Sequence, residues 1–66
     1  MMRFSYWMLR DKLIFRDKKT MQQIIKEELN IDAEEVIVAS NCIYVEGKDK
    51  IYIINWNGIL ERDKNE

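Results

Sequence analysis

The amino-acid sequence predicts an α+β domain of order ββαββ, in which one helix packs across a mixed sheet. A helix with recognisable start and stop signals runs from Thr20 to Asn30. Short segments rich in β-branched and aromatic residues flank this helix on both sides, as strands do. The 66 residues suffice for one small domain. We expect that domain to span residues 1–60 and the charged residues 61–66 to form a frayed tail.

The two strands before the helix are predicted at Arg3–Leu9 and Leu13–Phe15, with a turn at residues 10–12. Alternating aromatic residues favour the first of these strands. A single helix over the same stretch is the alternative. Its apolar face would consist of Phe4, Trp7, Met8, Ile14 and Phe15. That face would also carry the charged Asp11, so the hairpin is the preferred interpretation.

The central helix has a start, an apolar face and an end. Thr20 and Gln23 have the spacing of a capping box, in which two side chains bind the exposed N–H groups of a helix start. The apolar residues that follow recur every three or four positions, as they do on the buried face of a helix. They are Met21, Ile24, Ile25 and Leu29. Asn30 tolerates the left-handed conformation and is expected to end the helix.

Three short strands are predicted after the helix, at Val36–Ala39, Cys42–Val45 and Ile51–Trp56. Asn57-Gly58 is a strong signal for a two-residue turn. A winged helix-turn-helix is the rival interpretation, with a second helix at Ala33–Ser40. Such a helix would be acidic where it enters the major groove and β-branched throughout its centre, so it is disfavoured.

Composition excludes several classes of function. The chain has no histidine, and Cys42 is its single cysteine, so no disulfide, metal site, cofactor site or catalytic residue is expected. We interpret Cys42 as a buried, inert thiol. The net charge is −1 and acidic residues interrupt each basic cluster, which argues against nucleic acid as a partner. No apolar run approaches the ~20 residues of a membrane span, and the N-terminus lacks a signal-peptide pattern, so a cytoplasmic protein is expected.

The predicted sheet has more apolar surface than one helix can cover, because its strands are apolar on both faces. Ile43, Val45, Ile51 and Ile53 are expected to pack under the helix. The second face would then present the candidate protein-interaction residues, which are Tyr44, Tyr52, Ile54 and Trp56. Either a protein partner covers this face, including a second copy in a homodimer, or the N-terminal hairpin folds across it.

The order of these segments resembles the ubiquitin-like β-grasp family. The helix opens at Lys19-Thr20 and ends within Ile25–Ile31, and Asp32–Val38 followed by Asn41 is similar to the next strand and its corner. Lys48–Ile54 is similar to the last strand of the family. Within that family the chain resembles the ThiS and MoaD sulfur carriers, and in particular the ThiS-like domains associated with ThiF-type adenylating enzymes. The resemblance covers Leu13 to Gly58, with Cys42 and Lys48 in place of glycines.

The resemblance implies a non-catalytic module that docks an adenylating enzyme. Sulfur carriers of this family end in a free Gly-Gly, whereas this chain ends Asp63-Lys64-Asn65-Glu66, so we expect neither AMP nor sulfur to be attached at its C-terminus. The alternative function is a stand-alone homodimeric regulator or inhibitor of the kind that mobile elements encode. A winged helix-turn-helix nucleic-acid binder is the third.

Overall fold

The computed structural model describes residues 5–65, which form two helices followed by four strands. The helices are α1 (Tyr6–Leu13) and α2 (Lys18–Leu29), and the strands are β1 (Glu35–Val38), β2 (Ile43–Glu46), β3 (Lys50–Asn55) and β4 (Gly58–Asp63). The strands pair in chain order, and each pair is antiparallel. The α+β class is therefore confirmed. The order is ααββββ rather than ββαββ, and an antiparallel meander replaces the expected mixed sheet.

The segment expected to form an N-terminal hairpin is the helix α1. Residues 3 and 4 of the predicted first strand lie outside the described residues, and the chain is helical from Tyr6 onward. Ser5 caps this helix, because its hydroxyl accepts a hydrogen bond from the N–H of Met8 at 3.4 Å. The buried residues are Tyr6, Leu9 and Leu13, at the three- and four-residue spacing of one helix face.

This apolar face differs from the one considered in the sequence. Trp7, Met8 and Phe15 are exposed, and Asp11 is exposed with them, so the helix buries no charge. The helix was disfavoured because Asp11 would lie on its apolar face, but the face that is buried does not include Asp11. Phe15 follows α1 in the left-handed conformation, with φ of 64° and its ring almost wholly in solvent. That residue lies within the connection to α2.

The helix α2 lies where the sequence predicts it but begins two residues earlier. Its N-cap is Asp17, whose carboxylate accepts a hydrogen bond from the N–H of Thr20 at 2.8 Å, so the predicted capping box of Thr20 and Gln23 is wrong. Asn30 ends the helix with φ of 58° and ψ of 39°, as predicted. Ile25 is fully buried, and the other members of the predicted apolar stripe pack around the core.

The sheet continues further toward the C-terminus than expected. The turn after β3 comprises Trp56 and Asn57, and Gly58 begins β4 with φ of 135°, a conformation that side-chain-bearing residues rarely adopt. The strand β4 includes residues 61–63, which were expected to belong to a frayed tail. The proposed boundary at residue 60 therefore falls inside a strand that pairs with β3 along its length.

The core lies between the two helices and one face of the sheet. Its fully buried side chains come from both helices and from β2 and β3: they are Leu13, Ile25, Ile43, Val45 and Ile54. Arg10 ties α1 to the end of β1, because its guanidinium donates hydrogen bonds to the carbonyl of Ala39 and to the hydroxyl of Tyr6. Both helices thus cover the same face, and within residues 5–65 the opposite face stays open.

Candidate protein interface

The register of the antiparallel pairs decides which residues share a face. Glu46 pairs with Ile51, and four residues lie between them. As a result, each odd-numbered residue of β2 pairs with an even-numbered residue of β3, and the two side chains of a pair lie on the same face of the sheet. Ile43 therefore lies opposite Ile54, and Val45 lies opposite Tyr52. The two β2 residues predicted to lie under the helical layer are therefore placed correctly. Ile51 and Ile53 lie on the open face rather than under the helices.

The structure does not bring the four predicted interaction residues onto one surface. Tyr44 lies on the open face, and Trp56 is exposed in the turn after β3. Ile54 is fully buried on the covered face, where Tyr52 is half-buried and packs against the core. A partner could touch Tyr44 and Trp56 without disturbing the core, but it could not touch Ile54.

An apolar row crosses the open face from one edge strand to the other. Ile37 pairs with Tyr44, Tyr44 with Ile53, and Ile53 with Leu60, so one residue from each strand contributes. The two ends of the row are the most exposed, with Ile37 at 52% and Leu60 at 56% of full exposure. Directly opposed residues on one face of a sheet contact each other, so the row is a continuous apolar band.

Charged residues lie on one side of this apolar row, and their signs separate across the sheet. The neighbouring row runs from Glu35 through Glu46 and Ile51 to Arg62. The acidic end is on β1 and β2, and the basic end is on β4. The open face thus has an apolar centre, one acidic corner and one basic corner.

The two carboxylates at the acidic corner have different local partners. Glu46 Oε2 lies 2.9 Å from Nζ of Lys64, and this hydrogen bond raises the pKa of Lys64. Glu35 Oε2 lies 3.7 Å from Nζ of Lys18, and both side chains are about half exposed. An exposed pair at that distance contributes little, so Glu35 remains open to a stronger partner.

The edge strand β4 is held by charge as well as by its backbone. Lys50 on β3 forms ion pairs with Glu61 and Asp63 on the covered side of β4, and the hydrogen bond with Glu61 raises the pKa of Lys50. The N–H of Lys64 donates to the carbonyl of Asp49 at 3.0 Å, which fastens the end of the strand. The pairing of β4 with β3 therefore places Leu60 and Arg62 on the open face.

Sequence reasoning also missed a cleft beside the sheet that is lined by both tryptophans of the chain, Trp7 and Trp56. The signal was present in Trp56, which was selected as an interface residue, but Trp7 was assigned to a strand. Cys42 is half-buried rather than enclosed. Within residues 5–65, no cluster of acidic or cysteine side chains suited to a metal ion is found, and no helix is long and apolar enough to cross a membrane.

No family model matches this chain, and comparisons with curated proteins and solved structures found no significant match. Membership of the sulfur-carrier family therefore stays a prediction. Over residues 5–65, the fold is a small α+β domain with two helices on one face of a four-stranded antiparallel sheet and the other face open.

Proposed function

We propose that the protein is a non-catalytic binding module that associates with a second copy of itself through the open face of its sheet. The observation that carries this proposal is the apolar row from Ile37 to Leu60, which lies opposite the face that both helices cover. An apolar band of this kind, bordered by charge, is typical of a protein-interaction surface. The four side chains of the row would be desolvated together on binding.

A second copy fits because the open face is self-complementary. When two sheets stack about a two-fold axis parallel to the strands, β1 of one copy lies over β4 of the other. Ile37 then lies over Leu60 of the second copy, and Tyr44 lies over Ile53. The same operation places Glu35 over Arg62 of the second copy, so opposite charges meet at both corners.

The size of the face sets the expected strength of this contact. Four strands about 4.8 Å apart and four to six residues long present roughly 300 Å² per copy. This area is below that of standard interfaces, which bury about 800 Å² per partner. We therefore expect a dimer that dissociates on dilution through the micromolar range.

Charge reversal at the two corners tests the arrangement. Glu35→Arg alone and Arg62→Glu alone should each weaken the dimer roughly tenfold, because two-fold symmetry makes each pair occur twice and each exposed pair contributes up to about 1 kcal/mol. The double variant should restore the dissociation constant to within about threefold of the wild type. Sedimentation velocity over a dilution series measures all four proteins.

Glu27→Arg is the matched control, since it makes the same charge change at an exposed position of α2. It should leave the dimer unchanged. A wild type that stays monomeric at millimolar concentration contradicts the proposal, and so does a double variant as weak as the singles. The ThiF-type adenylating enzyme implied by the resemblance is the other candidate occupant. A one-to-one complex with that enzyme, formed by a monomeric wild type, would establish it instead.

A further inference from the structure

The cleft beside the sheet has a volume of about 440 Å³, which is within the range of small-ligand sites. It lies between α1, the connection from β1 to β2, and the turn from β3 to β4. Among residues 5–65, those that line it are Tyr6, Trp7, Ser40, Asn41, Asn55 and Trp56, none of them charged. Trp7 and Trp56 are 64% and 69% exposed, so both indole rings are available for contact.

The side chains that line the cleft offer more hydrogen-bond donors than acceptors, although Ser40 and Asn41 can each donate and accept. An indole N–H can donate but has no acceptor atom. Asn55 uses its side-chain oxygen to accept the N–H of Asn57 at 2.8 Å, so its amide NH₂ remains to donate. The hydroxyl of Tyr6 accepts from Arg10 at 3.1 Å, which leaves its own proton to donate. This surplus of donors favours a neutral ligand that carries more acceptors than donors.

We propose that this cleft binds a proline-rich segment in the polyproline II conformation. A proline residue has a carbonyl acceptor and no backbone N–H, which matches the donors in the cleft. Its ring packs against exposed aromatic faces, and an extended proline-rich chain loses little conformational entropy when it binds. A cationic ligand would find no carboxylate among the described residues of the lining, and a sugar would bring as many donors as acceptors.

The tryptophans make the test direct, because the only two in the chain both line the cleft. Decaproline titrated into the ¹⁵N-labelled protein should shift both indole N–H resonances saturably. A Gly-Ser peptide of the same length, which carries a backbone donor at every position, should leave them in place. Equal shifts with both peptides, no shift with decaproline, or saturable shifts with maltose alone would overturn the proposal.

Substitution then locates the contact. Trp56→Ala should weaken decaproline binding at least tenfold, because a large aromatic anchor typically carries much of the binding energy at such a site. Trp56 is the better target than Trp7, since the ring of Trp7 packs edge-on against Tyr6 with centroids 5.0 Å apart and its removal could disturb α1.

Phe15→Ala is the matched control, since it removes an exposed aromatic ring outside the cleft lining. It should bind decaproline as the wild type does, and equal weakening by Phe15→Ala and Trp56→Ala would overturn the assignment. The Arg62→Glu variant should also retain decaproline binding. The cleft and the proposed dimer contact can therefore fail independently.

Discussion

The covered face and the open face of the sheet carry similar side chains but differ in burial. The covered face contributes Val36, Ile43, Val45 and Ile54 to the core, each of them at most 3% exposed. The open face carries isoleucine, tyrosine and leucine in its central row, and both ends of that row are more than half exposed. Apolar composition therefore does not identify the core face of this sheet. The two helices do, because both pack on the same side.

The difference is sharpest on β3, where two neighbouring isoleucines point to opposite faces. Ile54→Ala should lower the free energy of unfolding by about 2–5 kcal/mol, because it leaves a cavity at a fully buried position. A 66-residue domain has about 3–10 kcal/mol in total, so this variant should lose most of its stability. Urea denaturation at low protein concentration measures the effect.

Ile53→Ala is the matched substitution on the open face. It should lower the free energy of unfolding of the monomer by only about 1 kcal/mol, because Ile53 is half-buried. Ile53→Ala should also weaken the proposed dimer. Ile54→Ala should not do so directly, because Ile54 lies on the covered face. Equal loss of stability in the two variants would mean that the open face is packed as tightly as the covered one.

The connection between the helices offers a gain in stability that should leave the open face unaffected. Phe15 has φ of 64° and a ring 98% exposed. Phe15→Gly should raise the free energy of unfolding by roughly 0.5–1 kcal/mol, because glycine adopts this conformation without strain and the ring contributes little packing. Thermal unfolding detects the change, and the dissociation constant of the dimer should stay the same. A lower melting temperature would show that the ring contributes more than its exposure indicates.

Low pH should reduce the free energy of unfolding, because it protonates the N-cap carboxylate of α2. Hydrogen bonds from the side chain and the backbone N–H of Thr20 lower the pKa of Asp17 below its ordinary value of 3.8. A carboxyl with a lowered pKa in the folded state stabilises the fold above its unfolded pKa and loses that contribution as the pH falls through the folded one. Stability should therefore decrease between about pH 4 and pH 2.

Asp17→Asn isolates this contribution, since asparagine caps a helix without a titrating group. Its stability should decrease less over the same pH range than that of the wild type. Because Asp17 is exposed, we expect the smallest effect of the series here. Parallel pH profiles for the two proteins would exclude Asp17 as the titrating group.

Local signals in the sequence were sufficient for α2 and for the position of the strands. Asn30 ends the helix as predicted, because the left-handed conformation at that point depends on a single residue. The segments around Val36, Ile43 and Ile51 are strands, as their β-branched residues indicate. These features depend on neighbours within a few positions, so the sequence alone determined them.

The helix α1 was also within reach of the sequence but was assigned wrongly. Ser5 has the chemistry of an N-cap, and Tyr6, Leu9 and Leu13 have the spacing of a buried helix face. The aromatic residues of this segment favoured a strand instead. Local propensity does not include the tertiary contacts that these side chains make in the folded domain. The exposed Trp7 and Met8 belonged to that misleading signal.

Only the tertiary structure decided the faces of the sheet and the contents of the candidate sites. Whether Ile53 or Ile54 enters the core depends on the register across the link between Glu46 and Ile51, and one position of slippage would exchange them. The pairing of β4 with β3 turned a predicted tail into an edge strand. The cleft joins Trp7 and Trp56, which lie 49 positions apart in the chain, and only the packing of α1 on the sheet brings them together. The sequence thus determined the conformations that depend on neighbouring residues, whereas the long-range pairing and packing determined the surfaces.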